Sequence, residues 1–211
     1  MSLTTIKEAV HRIRSGEMVL VVDDEDRENE GDLTMAAEWV TPDAINFMLR
    51  WARGLVCMPC DTIRLAELEI SLMLAPGKAT CDTAFTVTID HRDAGSGIGA
   101  ADRALTIRRV VDPRSMPEDF VRPGHVFPLQ SRPGGVLERR GHTEAAVDLA
   151  LLAGLAPVAV ICEVLHDDGS PARFPYLELF AQEHRVAMVS VDQLVEYRMS
   201  ENHSLVARPQ G

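Results

Sequence analysis

An acidic segment near the N-terminus has the residue types for metal or substrate chemistry. Residues 23–32 read DDEDRENEGD, and seven of these ten residues are acidic. Carboxylates this close together repel one another unless a cation or hydrogen-bond donors compensate them. Arg27 supplies a planar donor suited to carboxylate or phosphate, and Gly31 permits a tight turn that aims Asp32 back at the other carboxylates. We therefore predict a metal or substrate site here; the plainer alternative is a solvated acidic loop.

Two common kinds of site do not fit this segment. An EF-hand loop needs oxygen ligands at alternate positions and a glycine at the sixth, but counting from Asp23 puts Arg27 fifth and Glu28 sixth. The sequence also lacks the G-x-x-x-x-G-K-[ST] loop that cradles nucleotide phosphates. Distant parts of the chain must therefore complete the site.

A second candidate segment reads RRGHTE at residues 139–144 and begins a predicted helix. Free N–H groups and the positive end of the helix dipole suit an anion such as phosphate, and His142 offers an imidazole to a metal. The simpler reading is that Thr143 caps the helix and the arginines are solvated.

Two further residues stand in unusual surroundings. His125 lies in RPGHVFP, where the flanking prolines fix the direction of its ring, so it is a candidate general acid or base. Glu163 interrupts the apolar run Val158–Val164. A carboxylate on a buried strand is costly unless it is paired, protonated or used in chemistry, and we favour use.

The cysteines indicate no metal or redox site. Cys57 and Cys60 have the C-x-x-C spacing, but no second pair completes a zinc site. They follow an apolar run, so we interpret them as small apolar residues at the end of a strand.

The composition predicts one globular domain, residues 1–211, located in the cytoplasm. The chain has 21 basic and 32 acidic residues, a net charge of −11, which disfavours nucleic acid as a partner. It has no apolar stretch of membrane-spanning length and no signal-peptide pattern, so we expect no membrane contact.

Periodicity and capping signals place these residues on alternating strands and helices. Predicted strands are Met18–Val22, Leu33–Ala37, Leu55–Met58, Thr83–Asp90, Val158–Val164 and Ala187–Val189. Predicted helices are 5–16, 41–54, 63–68, Ala100–Val111, Thr143–Leu152, Tyr176–His184 and Ser190–Tyr197. Residues 112–135 are rich in proline, glycine and arginine, and we predict an irregular functional loop. The pattern favours a mixed sheet covered by helices.

The chain resembles the 3,4-dihydroxy-2-butanone 4-phosphate synthase family of riboflavin biosynthesis from its first helix to Tyr197. The matching segments are Asp23–Leu33, Thr83–Thr88, Ala100–Arg103, Arg122–Leu129 and Arg139–Ala145. The resemblance implies an α+β fold with three layers, α/β/α, and a mixed twisted sheet. It also implies a stand-alone synthase that works as a homodimer with active sites at the subunit interface. The implied reaction converts D-ribulose 5-phosphate into L-3,4-dihydroxy-2-butanone 4-phosphate and formate, with Mg²⁺ (or Mn²⁺).

The resemblance assigns roles by position. Glu28 and His142 become metal ligands, and His125 and Glu163 become residues needed for catalysis. To these we add Asp32 for proton transfer, because an enediolate forms when a base removes the proton next to the ketone. The implied substrate contacts are Arg27, Glu28, Asp32, Ser96, Arg139, Arg140, Gly141, His142, Thr143 and Glu163.

One departure from the family pattern leaves alternatives open. Family members have Thr-x-Gly-x-Ser where this chain has GSGIG at residues 95–99. Ser96 replaces the threonine hydroxyl, but Gly99 removes the serine hydroxyl, and one lost hydrogen bond costs about 0.5–1.5 kcal/mol. The alternatives are a divalent-metal lyase or isomerase acting on another sugar phosphate, and a non-catalytic paralogue that binds sugar phosphate.

Overall fold

The computed structural model describes residues 3–24, 26–74 and 82–200. The helices are α1 (Ile6–Arg14), α2 (Pro42–Phe47), α3 (Thr62–Glu67), α4 (Ala100–Val111), α5 (His142–Leu152), α6 (Phe174–His184) and α7 (Val191–Ser200). The strands are β1 (Val19–Val22), β2 (Gly31–Ala36), β3 (Cys57–Cys60), β4 (Ile89–His91), β5 (Phe120–Gln130), β6 (Ala159–Glu163) and β7 (Ala187–Ser190). Short 3-10 turns cover Ala37–Trp39, Pro117–Asp119 and Gly135–Leu137, and a π-helical turn covers Met48–Ala52.

These strands form one mixed sheet in the order β4-β5-β3-β6-β2-β1-β7. The pairs β1–β7 and β3–β5 are parallel, while β1–β2, β2–β6, β3–β6 and β4–β5 are antiparallel. In the β2–β6 pair, Asp32 lies opposite Glu163. The sheet therefore brings together two carboxylates that are far apart in sequence.

Helices cover both faces of the sheet, which confirms the predicted three-layer α+β fold. One face packs Leu20, Leu33 and Cys162 in a cluster shared with α2, α4 and α6. The opposite face packs Val21 and Ala36 against α1, α5 and α7. Because side chains alternate along a strand, Asp32 and Glu163 point to the same face as Ala36 and Ile161, which is the α5 face. No helix in the described ranges has the length and apolar character needed to cross a bilayer.

Capping chemistry explains where the early helices begin. The Thr5 hydroxyl accepts the Glu8 N–H at 3.3 Å, and the Thr41 hydroxyl accepts the Ala44 N–H at 3.1 Å. Gly16 follows α1 with φ of +83°, a conformation that glycine adopts without steric penalty. These starts and the first stop are confirmed.

The predicted strand Thr83–Asp90 is largely wrong. Only its last two residues belong to β4, while Phe85 and Thr86 form isolated bridges. The Thr86 N–H donates to the Pro128 carbonyl, but the Val87 N–H turns away to Ser71. Pro128 has no N–H to return a bond, so a continuous ladder cannot form there.

The predicted irregular region at residues 112–135 is also wrong, because it contains the eleven-residue strand β5. The strand includes Pro123 and Pro128, and the Gly124 N–H donates to the Thr88 hydroxyl at 3.0 Å. A Cβ at Gly124 would lie 2.0 Å from the Ile89 carbonyl carbon, so glycine is required by the close approach of β4.

Candidate active site

The acidic turn, residues 23, 24 and 26–30, meets the start of α5 at one end of the sheet. The turn joins the antiparallel strands β1 and β2, whose last pair is Val22 opposite Gly31. Asp32 is the second residue of β2, Glu163 is the last residue of β6, and His142 is the first residue of α5. The fold therefore gathers three segments that the sequence separates.

The acidic turn is organised by Asp23, whose side chain is only 1% exposed. Its carboxylate accepts the N–H groups of Glu30 at 2.8 Å and Glu28 at 3.2 Å, and the Arg27 guanidinium at 2.6 Å. Arg27 also donates to the Glu28 carboxylate at 2.8 Å. No sequence-based prediction distinguished Asp23 from the other acidic residues, although its position directly after a buried strand was an available signal.

Glu28 and His142 lie within joint reach of one cation. His142 Nδ1 is 3.6 Å from Glu28 Oε2, and one ligand atom each from Asp23, Glu28 and His142 lie within 4.8 Å of one another. Within the described ranges, His142 Nε2 is buried without a hydrogen-bond partner. Oxygen with one imidazole suits Mg²⁺ or Mn²⁺ better than zinc. Because Asp23 already accepts three donors, Glu28 and His142 are the better candidate ligands.

The surrounding charges favour the ionised forms of Glu28 and His142, a carboxylate and an imidazolium. The close approach of the His142 ring is the largest effect on Glu28 and lowers the pKa of its carboxyl to about 2. Burial lowers the pKa of His142, but Asp32, Glu28 and Asp23 raise it more, to about 9. Without metal, the pair is therefore an imidazolium held by carboxylates, and a divalent cation must displace that proton to bind the imidazole.

Asp32 has the properties of an acid–base group near neutral pH. Burial raises the pKa of its carboxyl to about 7, with further contributions from Glu163, Glu28 and Glu30, while His142 opposes the rise. Asp32 Oδ1 is buried without a hydrogen-bond partner among the described residues. Such a carboxyl can exchange a proton with a substrate at physiological pH.

Glu163 is held by the backbone of the segment that leads into β3. Its Oε2 accepts the Leu55 N–H at 2.8 Å, and its carbonyl accepts the Gly54 N–H at 3.1 Å. A Cβ at Gly54 would lie 2.5 Å from Glu163 Oε2 and 2.4 Å from Glu163 O. The Glu163 carboxylate can therefore occupy this position only because residue 54 has no Cβ.

The start of α5 lacks the Thr143 cap that the simpler reading of residues 139–144 predicts. The helix begins at His142 with Gly141 as N-cap and no side-chain cap, so Thr143 does not cap it. Arg139 is nearly buried and donates to Glu144 at 2.6 Å and Asp82 at 2.7 Å. The more exposed Arg140 pairs with Asp192 at 3.0 Å. The uncapped first turn keeps the features that suit an anion, while Arg139 is engaged within the protein.

His125 lies apart from this cluster. Strand β5 is three strands from β2, which corresponds to about 14 Å, and the structure does not bring His125 together with Asp32. Asp90, which the sequence analysis missed, accepts the His125 N–H at 2.9 Å and lies 2.7 Å from Nδ1. The signal was an acidic residue at the end of an alternating apolar segment.

The loop at residues 95–99 packs over the Asp90–His125 pair. The N–H groups of Gly95 and Gly97 donate to the Asp102 carboxylate at 3.0 and 3.1 Å. A Cβ at Gly97 would lie 2.0 Å from Asp90 Oδ2 and 2.5 Å from His125 Nδ1. Ser96, a predicted substrate contact, is therefore carried by a loop that is fixed beside His125.

The cysteines pack as apolar side chains. Cys57 and Cys60 are free and buried, and they belong to the apolar clusters on opposite faces of the sheet. Burial raises the pKa of both thiols, which makes them poor nucleophiles. The interpretation as structural residues agrees with this placement.

Comparisons with known proteins identify one family. The model of the family described as 3,4-dihydroxy-2-butanone 4-phosphate synthase matches residues 7–197. Riboflavin biosynthesis protein RibBA of Aquifex aeolicus is 54% identical over 198 residues, covering 92% of this chain and 49% of that protein. The 3,4-dihydroxy-2-butanone 4-phosphate synthase of Agrobacterium fabrum is 52% identical over 202 residues, covering 95% of each.

A solved structure agrees with these sequence relatives. A 3,4-dihydroxy-2-butanone 4-phosphate synthase in complex with two magnesium ions superposes with a TM-score of 0.88 at 37% identity, covering 94% of this chain and 99% of that one. The chain spans about half the length of several curated relatives that it matches. Both the sequence match and the shared fold show that the chain belongs to the 3,4-dihydroxy-2-butanone 4-phosphate synthase family.

Proposed function

We propose that the chain is a lyase of riboflavin biosynthesis that converts D-ribulose 5-phosphate into L-3,4-dihydroxy-2-butanone 4-phosphate and formate with Mg²⁺ (or Mn²⁺). The observation that carries the proposal is the 3.6 Å approach of Glu28 to His142 beside the paired carboxylates Asp32 and Glu163. Family membership and the magnesium complex of a structural relative support it.

In this proposal Glu28 and His142 hold the cation. When bound, the divalent cation supplies a Lewis acid that polarises the ketone and stabilises the negative charge that develops on its oxygen. Asp32 exchanges the proton next to the ketone, since burial places its pKa near neutrality. Glu163, oriented by the Leu55 N–H, serves a second proton transfer on the same face of the sheet.

The remaining proposed contacts bind and orient the substrate. The uncapped start of α5, from Gly141 to Thr143, binds the phosphate through backbone N–H groups and the helix dipole. Arg27 adds positive charge beside Glu28. Arg139 and Arg140 set the positive potential around the phosphate while keeping their protein partners.

We further propose a homodimer in which His125 of one subunit completes the site of the other. The separation of His125 from Asp32 within one chain supports this arrangement, as do the exposed apolar side chains Leu55 and Ile98. Asp90 binds Nδ1 of His125, which leaves Nε2 available for proton transfer. Mixing His125→Ala and Glu28→Ala subunits should restore about a quarter of wild-type activity, because half of random dimers then carry one intact site. No recovery despite proven subunit exchange would contradict the shared site.

Formate release from D-ribulose 5-phosphate, followed with and without Mg²⁺, tests the reaction. Glu28→Gln should remove metal-dependent release, whereas Asp26→Asn, an exposed residue of the same turn, should retain it. If the purified wild-type protein releases no formate at saturating metal and substrate, the proposal is wrong.

The second candidate is a related lyase or isomerase acting on another sugar phosphate. The observation that favours it is Gly99, which has no hydroxyl where the family has serine and leaves α4 without a side-chain cap. Turnover of a different phosphorylated ketose in the same assay, without formate release from ribulose 5-phosphate, would select this candidate.

A further inference from the structure

Arg173 contacts the outer side of the acidic turn. Its Nη1 donates to the backbone carbonyl oxygens of Glu28 at 2.5 Å and Asn29 at 2.6 Å. It also lies 3.8 Å from the Glu30 carboxylate. One guanidinium nitrogen thus joins two consecutive carbonyl groups, the first of which belongs to a candidate metal ligand.

The backbone of Arg173 is fixed by its neighbours. The Ala172 N–H donates to the Val164 carbonyl at 3.0 Å, one residue beyond Glu163, and Ala172 is fully buried. Arg173 is the N-cap of α6, and its carbonyl accepts the Leu177 N–H at 3.0 Å. Arg173 therefore projects from a rigid junction between the end of β6 and the start of α6.

The same junction packs on the base of the acidic turn. A Cβ at Gly31 would lie 2.7 Å from Leu177 Cδ1, so the first turn of α6 touches the residue at which the acidic turn enters β2. Movement of Arg173 relative to the turn would have to open this contact.

The acidic turn needs support on both sides. Asn29 has φ of +53°, a left-handed conformation that is uncommon outside glycine and persists where surrounding contacts hold it. On the inner side, Asp23 accepts the N–H groups of Glu28 and Glu30. On the outer side, Arg173 donates to the carbonyl groups of Glu28 and Asn29. Together the two side chains fix the peptide groups on both sides of Glu28.

We infer that Arg173 is a positioning residue of the divalent-metal site, which fixes the Glu28 backbone relative to His142 and ties it to the strand end that carries Glu163. The inference rests on the proposed metal-binding role of Glu28 and His142. Arg173 acts through the peptide groups of the turn and does not itself contact the cation.

Mn²⁺ titration of the purified protein by calorimetry tests this role. Arg173→Met retains an unbranched, flexible side chain and removes the donors, and it should weaken Mn²⁺ affinity by about tenfold, as partners that orient metal ligands typically do. Arg173→Lys keeps one charged donor and should recover most of that affinity. In the metal-free protein, amide hydrogen exchange of residues 26–30 should be faster in Arg173→Met than in wild type.

Arg64→Met is the matched control. Arg64 also donates to two backbone carbonyls, those of Val110 and Asp112, each at 2.7 Å, but it joins α3 to the end of α4. This variant loses contacts of the same kind and should bind Mn²⁺ as wild type does. Equal loss of affinity in both variants would show a general folding effect and overturn the inference.

Glu28→Ala separates this inference from the proposed function. If Glu28→Ala abolishes Mn²⁺ binding while Arg173→Met binds like wild type with unchanged exchange, the role of Arg173 is refuted and the metal site stands. If Glu28→Ala itself binds like wild type, the metal site is refuted. Should Arg173→Met not fold, the same titration and exchange on Arg173→Ala, which also removes the donors, decide the question, and wild-type values in both measurements would overturn the inference.

Discussion

Replacing Gly54 by alanine should displace the Glu163 carboxylate without changing any charged group. The added Cβ would lie 2.5 Å from Glu163 Oε2, whereas ordinary contacts begin at 3.4 Å, so the oxygen must move by about 0.9 Å. The Glu163 carbonyl, at 2.4 Å, must move as well. A misplacement of about 1 Å at a reacting group typically lowers the rate by about 10²-fold. Overpacking of this kind destabilises a protein by about 1–3 kcal/mol.

The assay measures formate release from D-ribulose 5-phosphate together with urea denaturation. Gly54→Ala should lower kcat by about 10²-fold while remaining folded, and Glu163→Gln should lower it in the same direction. Gly95→Ala is the control, because its nearest neighbour, Asp102 Oδ2, is 3.5 Å away and leaves room for a Cβ. A folded Gly54→Ala protein with the kcat of wild type would refute the requirement for the observed Glu163 position.

Further predictions concern pH, the Gly99 position and the orientation of His125. The pKa of His142 is raised from 6.5 to about 9, so between pH 7 and 9 the folded metal-free protein keeps a proton that the unfolded chain has released. Its free energy of unfolding should therefore fall by about 1 kcal/mol per pH unit as pH rises through this window. Urea denaturation at pH 7, 8 and 9 checks this, and a slope equal to that of His142→Gln would contradict it. Mn²⁺ binding at pH 7.5 should release about one proton per cation, measured by calorimetry in buffers of different ionisation enthalpy; no release would contradict the assignment of His142 as a ligand. Gly99→Ser has room for its Cβ, 3.5 Å from Asp102 Oδ2, and should add a few tenths of a kcal/mol of stability through capping of α4 and lower KM up to about tenfold. Lower stability together with an unchanged or higher KM would contradict this. Asp90→Asn removes the charge that orients His125 Nδ1 and should lower kcat by about 10²-fold at unchanged stability, whereas an unchanged kcat would contradict the orientation of His125 by Asp90.

Much of the fold was predictable because its signals are local. Threonine caps at residues 5 and 41 mark helix starts, and apolar runs such as Val158–Val164 mark buried strands. Strand β5 was missed because prolines normally interrupt a ladder, and the sequence does not show that the strand continues through Pro123 and Pro128. The strand predicted at Thr83–Asp90 was too long, because its residues alternate as in a strand but Pro128, which lies opposite Thr86, has no N–H to continue the ladder.

The sequence proposed the candidate metal ligands but not the residues that support them. The resemblance singled out Glu28 and His142, and the fold brings them within 3.6 Å. Within an acidic run every carboxylate looks alike, and only the structure separates the 1% exposed Asp23 side chain from the 47% exposed Glu28 side chain. Asp90 contacts His125 between β4 and β5, and Arg173 contacts the acidic turn from the start of α6. The local sequence does not show which distant residues such contacts join.

The central claim is that Glu28 and His142 hold one divalent cation together. Anomalous diffraction from crystals soaked in Mn²⁺ tests it most directly. The account predicts a peak bonded at about 2.1 Å to a Glu28 carboxylate oxygen and a His142 ring nitrogen. A peak that contacts neither residue, or no peak at these side chains at saturating Mn²⁺, would contradict it.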